Sequence, residues 1–130
     1  MGLLIIDTSK CTRDGLCVRD CATAIIRLPE NGYPEIMPGG EAACLVCGHC
    51  VAVCPHDALS HQMVPIEQSP VVHEDLRIDE PRAVQFLRSR RSVRHYKEKQ
   101  VEREKILKLI ETARYAPTAG NSQLVEWIVI

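Results

Sequence analysis

Four cysteines form a compact run in the middle of the chain. Cys44, Cys47, Cys50 and Cys54 are separated by two, two and three residues, and Pro55 follows the last of them. Iron is soft enough to prefer thiolate ligands, and this tight spacing lets one loop supply three corners of an iron–sulfide cluster. A zinc knuckle is the alternative, but structural zinc usually pairs two separated Cys-x2-Cys units. The run therefore favours an iron–sulfur cluster.

A second, incomplete run lies nearer the start of the chain. Cys11, Cys17 and Cys21 match the first, third and fourth places, Asp14 stands in the second, and Ala22 replaces the proline. A carboxylate can bind iron, but it is a harder and more exchangeable ligand than a thiolate. Two interpretations of Asp14 stay open. It is either the fourth ligand of a cluster or a solvent-facing loop residue beside a three-cysteine [3Fe–4S] centre.

On these two runs, residues 3–61 closely resemble the bacterial-type dicluster ferredoxins. The resemblance implies crossed ligation, in which the cysteine at the fourth place of each run binds the cluster of the other run. The implied ligands of cluster I are Cys11, Asp14, Cys17 and Cys54. The implied ligands of cluster II are Cys44, Cys47, Cys50 and Cys21. Cluster II is expected to be [4Fe–4S], and cluster I either [4Fe–4S] or [3Fe–4S].

Two histidines lie inside or beside the cysteine runs. His49 precedes the third cysteine of the complete run, and His56 follows Pro55. Every corner of both clusters already has a candidate ligand. We therefore expect both histidines to be supporting or surface residues.

A basic stretch in the second half, residues 88–94, reads Arg-Ser-Arg-Arg-Ser-Val-Arg. It is interpretable as a solvated face, a nucleic-acid-binding segment or an anion site where guanidinium groups and a hydroxyl hold a phosphate. Nucleic-acid binding is disfavoured, because the stretch lacks interleaved aromatic residues and the whole chain is not basic. The solvated face and the anion site stay open on these residues alone.

The basic stretch is followed by Val101, Glu104 and the sequence Ala-Arg-Tyr-Ala-Pro-Thr-Ala-Gly-Asn-Ser-Gln over residues 113–123. Together these motifs resemble the start of the nitroreductase family of FMN enzymes, over about residues 85–130. The resemblance implies a domain-swapped homodimer and two groups of FMN contacts. The phosphate-side group is Arg90, Arg91, Ser92 and Arg94. The flavin-side group is Pro117, Thr118, Asn121 and Gln123. Leu124 stands where many members have proline.

The charge of the chain is divided between its halves. Residues 1–81 carry five basic and twelve acidic side chains, and residues 82–130 carry eleven and five, giving −7 and +6. This asymmetry indicates two modules with different partners. Seven cysteines are an odd number, which argues against a closed disulfide framework. No secretory leader, myristoylation pattern or membrane-length apolar run is visible, so we expect a cytoplasmic chain without membrane or nucleic-acid partners.

The elements that position these residues follow a repeated plan of strand, cysteine loop, short helix and strand, over residues 2–36 and 37–62. The predicted strands are Leu3–Ile6, Tyr33–Met37, Ala58–His61 and a buried Val125–Ile130. One predicted helix begins at Pro81, and a second spans about Glu102–Tyr115. The predicted domains are 1–62, a linker over 63–81, and 82–130.

The sequence therefore predicts an α+β protein in which a ferredoxin-like dicluster domain precedes a partial nitroreductase-like α/β segment. About 45 residues of that segment are present, where a whole domain usually needs roughly 150. Either the chain is a fragment of a ferredoxin–nitroreductase fusion, or its tail has another use. The predicted function is electron transfer to an FMN-dependent oxidoreductase. The alternative is a stand-alone ferredoxin whose basic tail docks a redox partner protein, and a weaker third hypothesis is a redox or iron sensor. No catalytic acid, base or nucleophile is predicted.

Overall fold

The computed structural model describes residues 2–130, which separate into two compact units. The first unit contains the residues up to Ser69 together with Pro117–Glu126, and the second contains Pro70–Ala116 and Trp127–Ile130. Residues 63–69 thus lie in the first unit. There Ile66 packs on the core, and its N–H donates to Ser60 Oγ at 3.1 Å.

Two short antiparallel strand pairs frame the first unit. β1 (Leu4–Ile6) pairs with β4 (Leu59–His61), with Leu4 opposite His61 and Ile6 opposite Leu59. β2 (Ile26–Arg27) pairs with β3 (Glu35–Ile36) across a turn that contains Gly32. β1, β3 and β4 lie inside the predicted strands, whereas β2 was not predicted. The first pair brings the two ends of the cysteine-rich region together.

The two cysteine regions share one backbone conformation. Helix α1 (Leu16–Arg19) follows Gly15, and helix α2 (His49–Ala52) follows Gly48, and both glycines have a left-handed φ of 73°. Further positive φ angles occur in pairs, also thirty-three residues apart, at Arg13 with Val46 and at Ala24 with Asp57. The predicted internal repeat is therefore present in the backbone itself.

The core of the first unit is small and lies between the short helices and the first strand pair. Ile25, Ile26 and Ala58 are buried, and a separate cluster consists of Cys17, Val51 and Leu59, with partly buried apolar residues from both halves around it. Two of the three cluster members come from the cysteine helices α1 and α2. Cys17 is itself one of the implied ligands, and Val51 directly follows Cys50, so this cluster adjoins both cysteine runs.

Two helices are the longest elements of the second unit. α3 (Glu80–Ser89) begins where Asp79 accepts a hydrogen bond from the Arg82 N–H at 2.9 Å, with a proline in its first turn. This is the side-chain cap that favours a helix start. α4 (Arg103–Ala113) lies inside the predicted second helix. No helix within residues 2–130 is long and apolar enough to cross a membrane.

The predicted strand over Val125–Ile130 is wrong. These residues adopt no strand conformation, and Ile128 is 88% exposed. Apolar and β-branched side chains favour a strand only when a partner strand takes up the backbone hydrogen bonds. No strand among residues 2–130 pairs with this segment.

Candidate iron–sulfur and flavin sites

A cavity in the first unit, here called cavity I, lies among the residues of the incomplete run. It has a volume of about 330 Å³, including its open mouth. Its lining contains every residue implied for cluster I: Cys11, Asp14, Cys17 and Cys54. Three of these come from the first half of the repeat, and Cys54 comes from the loop after α2.

A second cavity, cavity II, is the counterpart for the complete run. Its volume is about 440 Å³, including its open mouth. Its lining contains Cys21, Cys44, Cys47 and Cys50, so that the residue from the opposite half is now Cys21. Each cavity therefore groups the last cysteine of one run with three positions of the other.

The donor sets fit iron–sulfur clusters. Cavity II offers four thiols, the soft ligands that iron–sulfur clusters prefer. Cavity I offers three thiols and a carboxylate, which is a harder ligand that can also bind iron. The four groups stand around the wall of each cavity. Within residues 2–130, no three His, Cys, Asp or Glu side chains converge closely enough to hold a single metal ion.

The cysteine at the third place of each run lies on a short helix, where burial opposes its ionisation. Burial raises the pKa of Cys50 to about 11, with a further contribution from the neighbouring Cys47. Burial likewise raises the pKa of Cys17, assisted by Cys11. A thiol in this state becomes a thiolate readily only when a bound metal supplies compensating charge. Both positions therefore favour metal-bound over free thiolates.

Cys21 and Cys54, which stand at the fourth place of their runs, receive hydrogen bonds from the loops that follow them. The Ala58 N–H donates to Cys54 Sγ at 3.3 Å. At Cys21, burial raises the pKa, but hydrogen bonds from Ile25 and Thr23 outweigh it, and the net pKa is lowered. Donors of this kind stabilise a thiolate and orient it as a ligand.

Asp14 is held in its loop by two donors. Its Oδ1 accepts from the Leu16 N–H at 2.9 Å, and its Oδ2 accepts from the Thr12 hydroxyl at 3.1 Å. The Leu16 hydrogen bond is the main reason that the pKa of Asp14 lies below its ordinary value. Each oxygen of an ionised carboxylate can accept more than one bond, so these contacts leave capacity for a metal.

His49 and His56 lie at the cavity edges and are partly exposed. His49 lines cavity II, and its Nδ1 is 3.7 Å from Asp20 Oδ2. His56 lines cavity I, and its Nε2 is 4.0 Å from Asp14 Oδ2. Their nearest polar partners are carboxylates.

His61 is a residue of this site that sequence reasoning missed. It is 2% exposed, its Nδ1 accepts from the Met63 N–H at 3.0 Å, and its Nε2 is 3.6 Å from Cys44 Sγ. Burial lowers its pKa. One signal was available in the sequence. Leu59 and His61 are two residues apart in a predicted strand and therefore share a face, so a polar residue stood at an inward position.

The residues implied as phosphate-side FMN contacts follow α3 in the second unit. Arg90, Arg91, Ser92 and Arg94 are all exposed. The Arg91 guanidinium donates to the Arg88 carbonyl at 2.7 Å and to the Arg90 carbonyl at 2.8 Å. The stretch thus presents its charge on an exposed, irregular segment of the chain.

The residues implied as flavin-side contacts lie in the first unit. Pro117, Thr118, Asn121 and Gln123 belong to one tight segment, in which the Gln123 N–H donates to Thr118 Oγ1 at 3.0 Å. The Asn121 amide donates to the carbonyls of Leu45 and Val46, both at 3.0 Å. These carbonyls lie between Cys44 and Cys47, so Asn121 fixes the segment to the loop of the complete run.

The repeated cysteine helices and the two thiol-lined cavities are the arrangement expected of a small iron–sulfur domain. Comparison with protein families agrees. Residues 9–59 match the 4Fe-4S dicluster domain, and residues 87–130 match the nitroreductase family. The chain therefore joins a ferredoxin-type 4Fe–4S domain, which implies electron transfer, to a segment of a redox-enzyme family. Searches of curated proteins and of solved structures gave no match.

Proposed function

We propose that this chain carries electrons on two iron–sulfur clusters, one in each cavity, towards an FMN held by the nitroreductase-family segment. The observation that carries the proposal is the crossed grouping of the cysteines into two cavities. When bound, such clusters supply reversible one-electron storage. The proposed ligands of cluster I are Cys11, Asp14, Cys17 and Cys54. The proposed ligands of cluster II are Cys21, Cys44, Cys47 and Cys50.

The surrounding residues would exclude water from these ligands and fix their geometry. Val51 and Leu59 are buried, and Leu4 and Ile6 pack against them. An apolar shell of this kind controls solvent access and local dielectric, and both set the reduction potential of a metal centre. The small core would therefore influence the reduction potential of the clusters as well as stabilise the first unit.

The flavin part of the proposal rests on the family match and on charge. Residues 87–130 include all eight implied contacts, and residues 82–130 carry a net charge of +6, which suits a phosphate-bearing cofactor. FMN would supply the conversion of single electrons into the two that reduce an organic acceptor of the nitro, quinone or enone class. Asn121 adds support, because it ties the segment to the proposed cluster II loop.

A second candidate is a stand-alone electron carrier whose basic segment docks an acidic redox partner. The observation that favours it is the exposure of the basic side chains over residues 88–99. Docking would then depend on ionic strength, because exposed charges are screened by salt. Bound FMN in the purified chain separates the two candidates, since only the first requires it.

Paired substitutions test the crossed ligand sets. If Cys17 and Cys54 serve one cluster, Cys17→Ala with Cys54→Ala should lose no more iron than Cys17→Ala alone. Cys17→Ala with Cys21→Ala should instead lose both clusters, since each holds one removed ligand. The measurement is iron and sulfide per chain after anaerobic reconstitution, with about four irons expected in the first double variant and few in the second. The reverse pattern would mean that each run binds its own cluster without crossing.

A further inference from the structure

We propose that His61 is a positioning residue of cluster II, whose Nε2–H donates a hydrogen bond to Cys44 Sγ and raises the reduction potential of that cluster relative to cluster I. The proposal rests on the proposed function, because it requires a cluster in cavity II. It concerns a residue that belongs to neither cysteine run and that the family resemblance did not single out.

The first step is the position of the ring proton. The Met63 N–H donates to His61 Nδ1 at 3.0 Å. A nitrogen that accepts this bond must keep its lone pair, so the ring is neutral and its one N–H is at Nε2. The tautomer thus follows from the hydrogen bond that the other nitrogen makes.

The second step is the target of that proton. Nε2 lies 3.6 Å from Cys44 Sγ, which is within reach of an N–H···S hydrogen bond. Both residues line cavity II. Because Nε2 can only donate in this tautomer, the sulfur is the acceptor.

The third step is that the ring is held in place. His61 is 2% exposed, and its backbone pairs with Leu4 in the first strand pair. Its carbonyl also accepts from the Val64 N–H at 3.1 Å. With its backbone fixed by a strand and its Nδ1 bonded, the imidazole has little freedom to turn away from Cys44.

The fourth step is the effect on the cluster. A donor at a thiolate ligand offsets negative charge on the sulfur, and the reduced cluster carries one more negative charge than the oxidised one. The hydrogen bond therefore stabilises the reduced state more and raises the reduction potential. Burial strengthens the effect, because a hydrogen bond in a low dielectric is electrostatically stronger than one in water.

The fifth step is that the effect belongs to one cluster. The thirty-three-residue repeat places Cys11 in register with Cys44 and Leu28 in register with His61. A leucine side chain has no donor. The two halves therefore differ at this position, and cluster II gains a stabilisation of its reduced state that the repeat does not give to cluster I.

Three variants test the proposal through the reduction potential. His61→Phe keeps a planar aromatic ring but removes the donor, and His61→Gln supplies an amide N–H in its place. His73→Phe is the matched control at an exposed histidine. In a redox titration followed by EPR, His61→Phe should move the cluster II potential to a more negative value and leave cluster I unchanged. His61→Gln should recover part of the shift, and His73→Phe should change neither. An unchanged cluster II potential in His61→Phe would overturn the proposal.

A measurement on the chain with His61 in place tests the proposal even if the His61 variants do not assemble cluster II. With the imidazole nitrogens of histidine labelled by ¹⁵N, pulsed EPR of the reduced protein should detect a weakly coupled nitrogen and a proton that exchanges in D₂O, and both should persist in His49→Gln, which removes the other histidine that lines cavity II. A reduced cluster II with no coupled histidine nitrogen would overturn the proposal. Iron and sulfide counts are taken on the same sample. If they show no cluster II, the proposed function fails instead.

Discussion

Asp14 is the residue at which the two halves of the site differ most plainly. It occupies the place that Cys47 occupies in the complete run, and it lines cavity I beside three thiols. Its hydrogen bonds to Leu16 and Thr12 hold the carboxylate in its loop without exhausting its lone pairs. We infer that this corner of cluster I is the more exchangeable one, because the only ligand it offers is a carboxylate.

Replacing the carboxylate with a thiol tests that inference. Asp14→Cys should give cluster I an ordinary four-cysteine set, so air oxidation should no longer produce the EPR signal of a three-iron centre. Glu30→Cys is the control, because it adds a thiol at an exposed loop residue that lines neither cavity. A three-iron signal of the same size in Asp14→Cys and in the parent would contradict ligation by Asp14.

The cysteines could be predicted as candidate ligands from sequence because their spacing carries the chemistry. His61 could not, because its role depends on contacts formed by folding. Its approach to Cys44 spans seventeen residues, and its proton position depends on Met63. A motif search examines neighbours along the chain, whereas this residue acts on a neighbour in space.

At the scale of elements, the repeat made three of the four strands of the cysteine region predictable, but not how the strands pair. β1, β3 and β4 lie where the alternation of strand, loop and helix predicts them. β2 was missed because two residues carry no readable periodicity. Val125–Ile130 was predicted wrongly, since strand propensity was read without knowing whether a partner strand exists.

Gly39 and Gly48, two glycines with left-handed φ angles, offer a matched test at this scale. Gly48→Ala places a side chain at a φ of 73° and 3.1 Å from Val64 Cγ1, whereas Gly39→Ala does so at a φ of 77° with nothing within 4 Å. The left-handed conformation costs roughly 1–2 kcal/mol for a residue with a Cβ. Both variants should lose about that much stability in chemical unfolding, and Gly48→Ala should lose more. Equal losses would mean that the Val64 side chain moves away from the new methyl group at no measurable cost in stability.

At the scale of the whole molecule, the charge division indicated two modules, and the cysteine-rich module matches an iron–sulfur domain over residues 9–59. Sequence order could not place Pro117–Glu126, which follows α4 along the chain but belongs to the first unit. The reason is specific, since the Asn121 amide bonds the backbone of a loop about seventy-five residues earlier. Such a contact leaves no periodic trace in the sequence.

The measurement that tests the central claim most directly is a count of metal, sulfide and flavin in the chain purified without oxygen, with EPR before and after reduction. The account predicts about eight irons and eight sulfides per chain, signals from two reduced clusters, and bound FMN. Iron and sulfide without flavin would support the stand-alone electron carrier and contradict the proposal that FMN is the electron acceptor. Zinc in place of iron, with no sulfide and no EPR signal on reduction, would contradict the account as a whole.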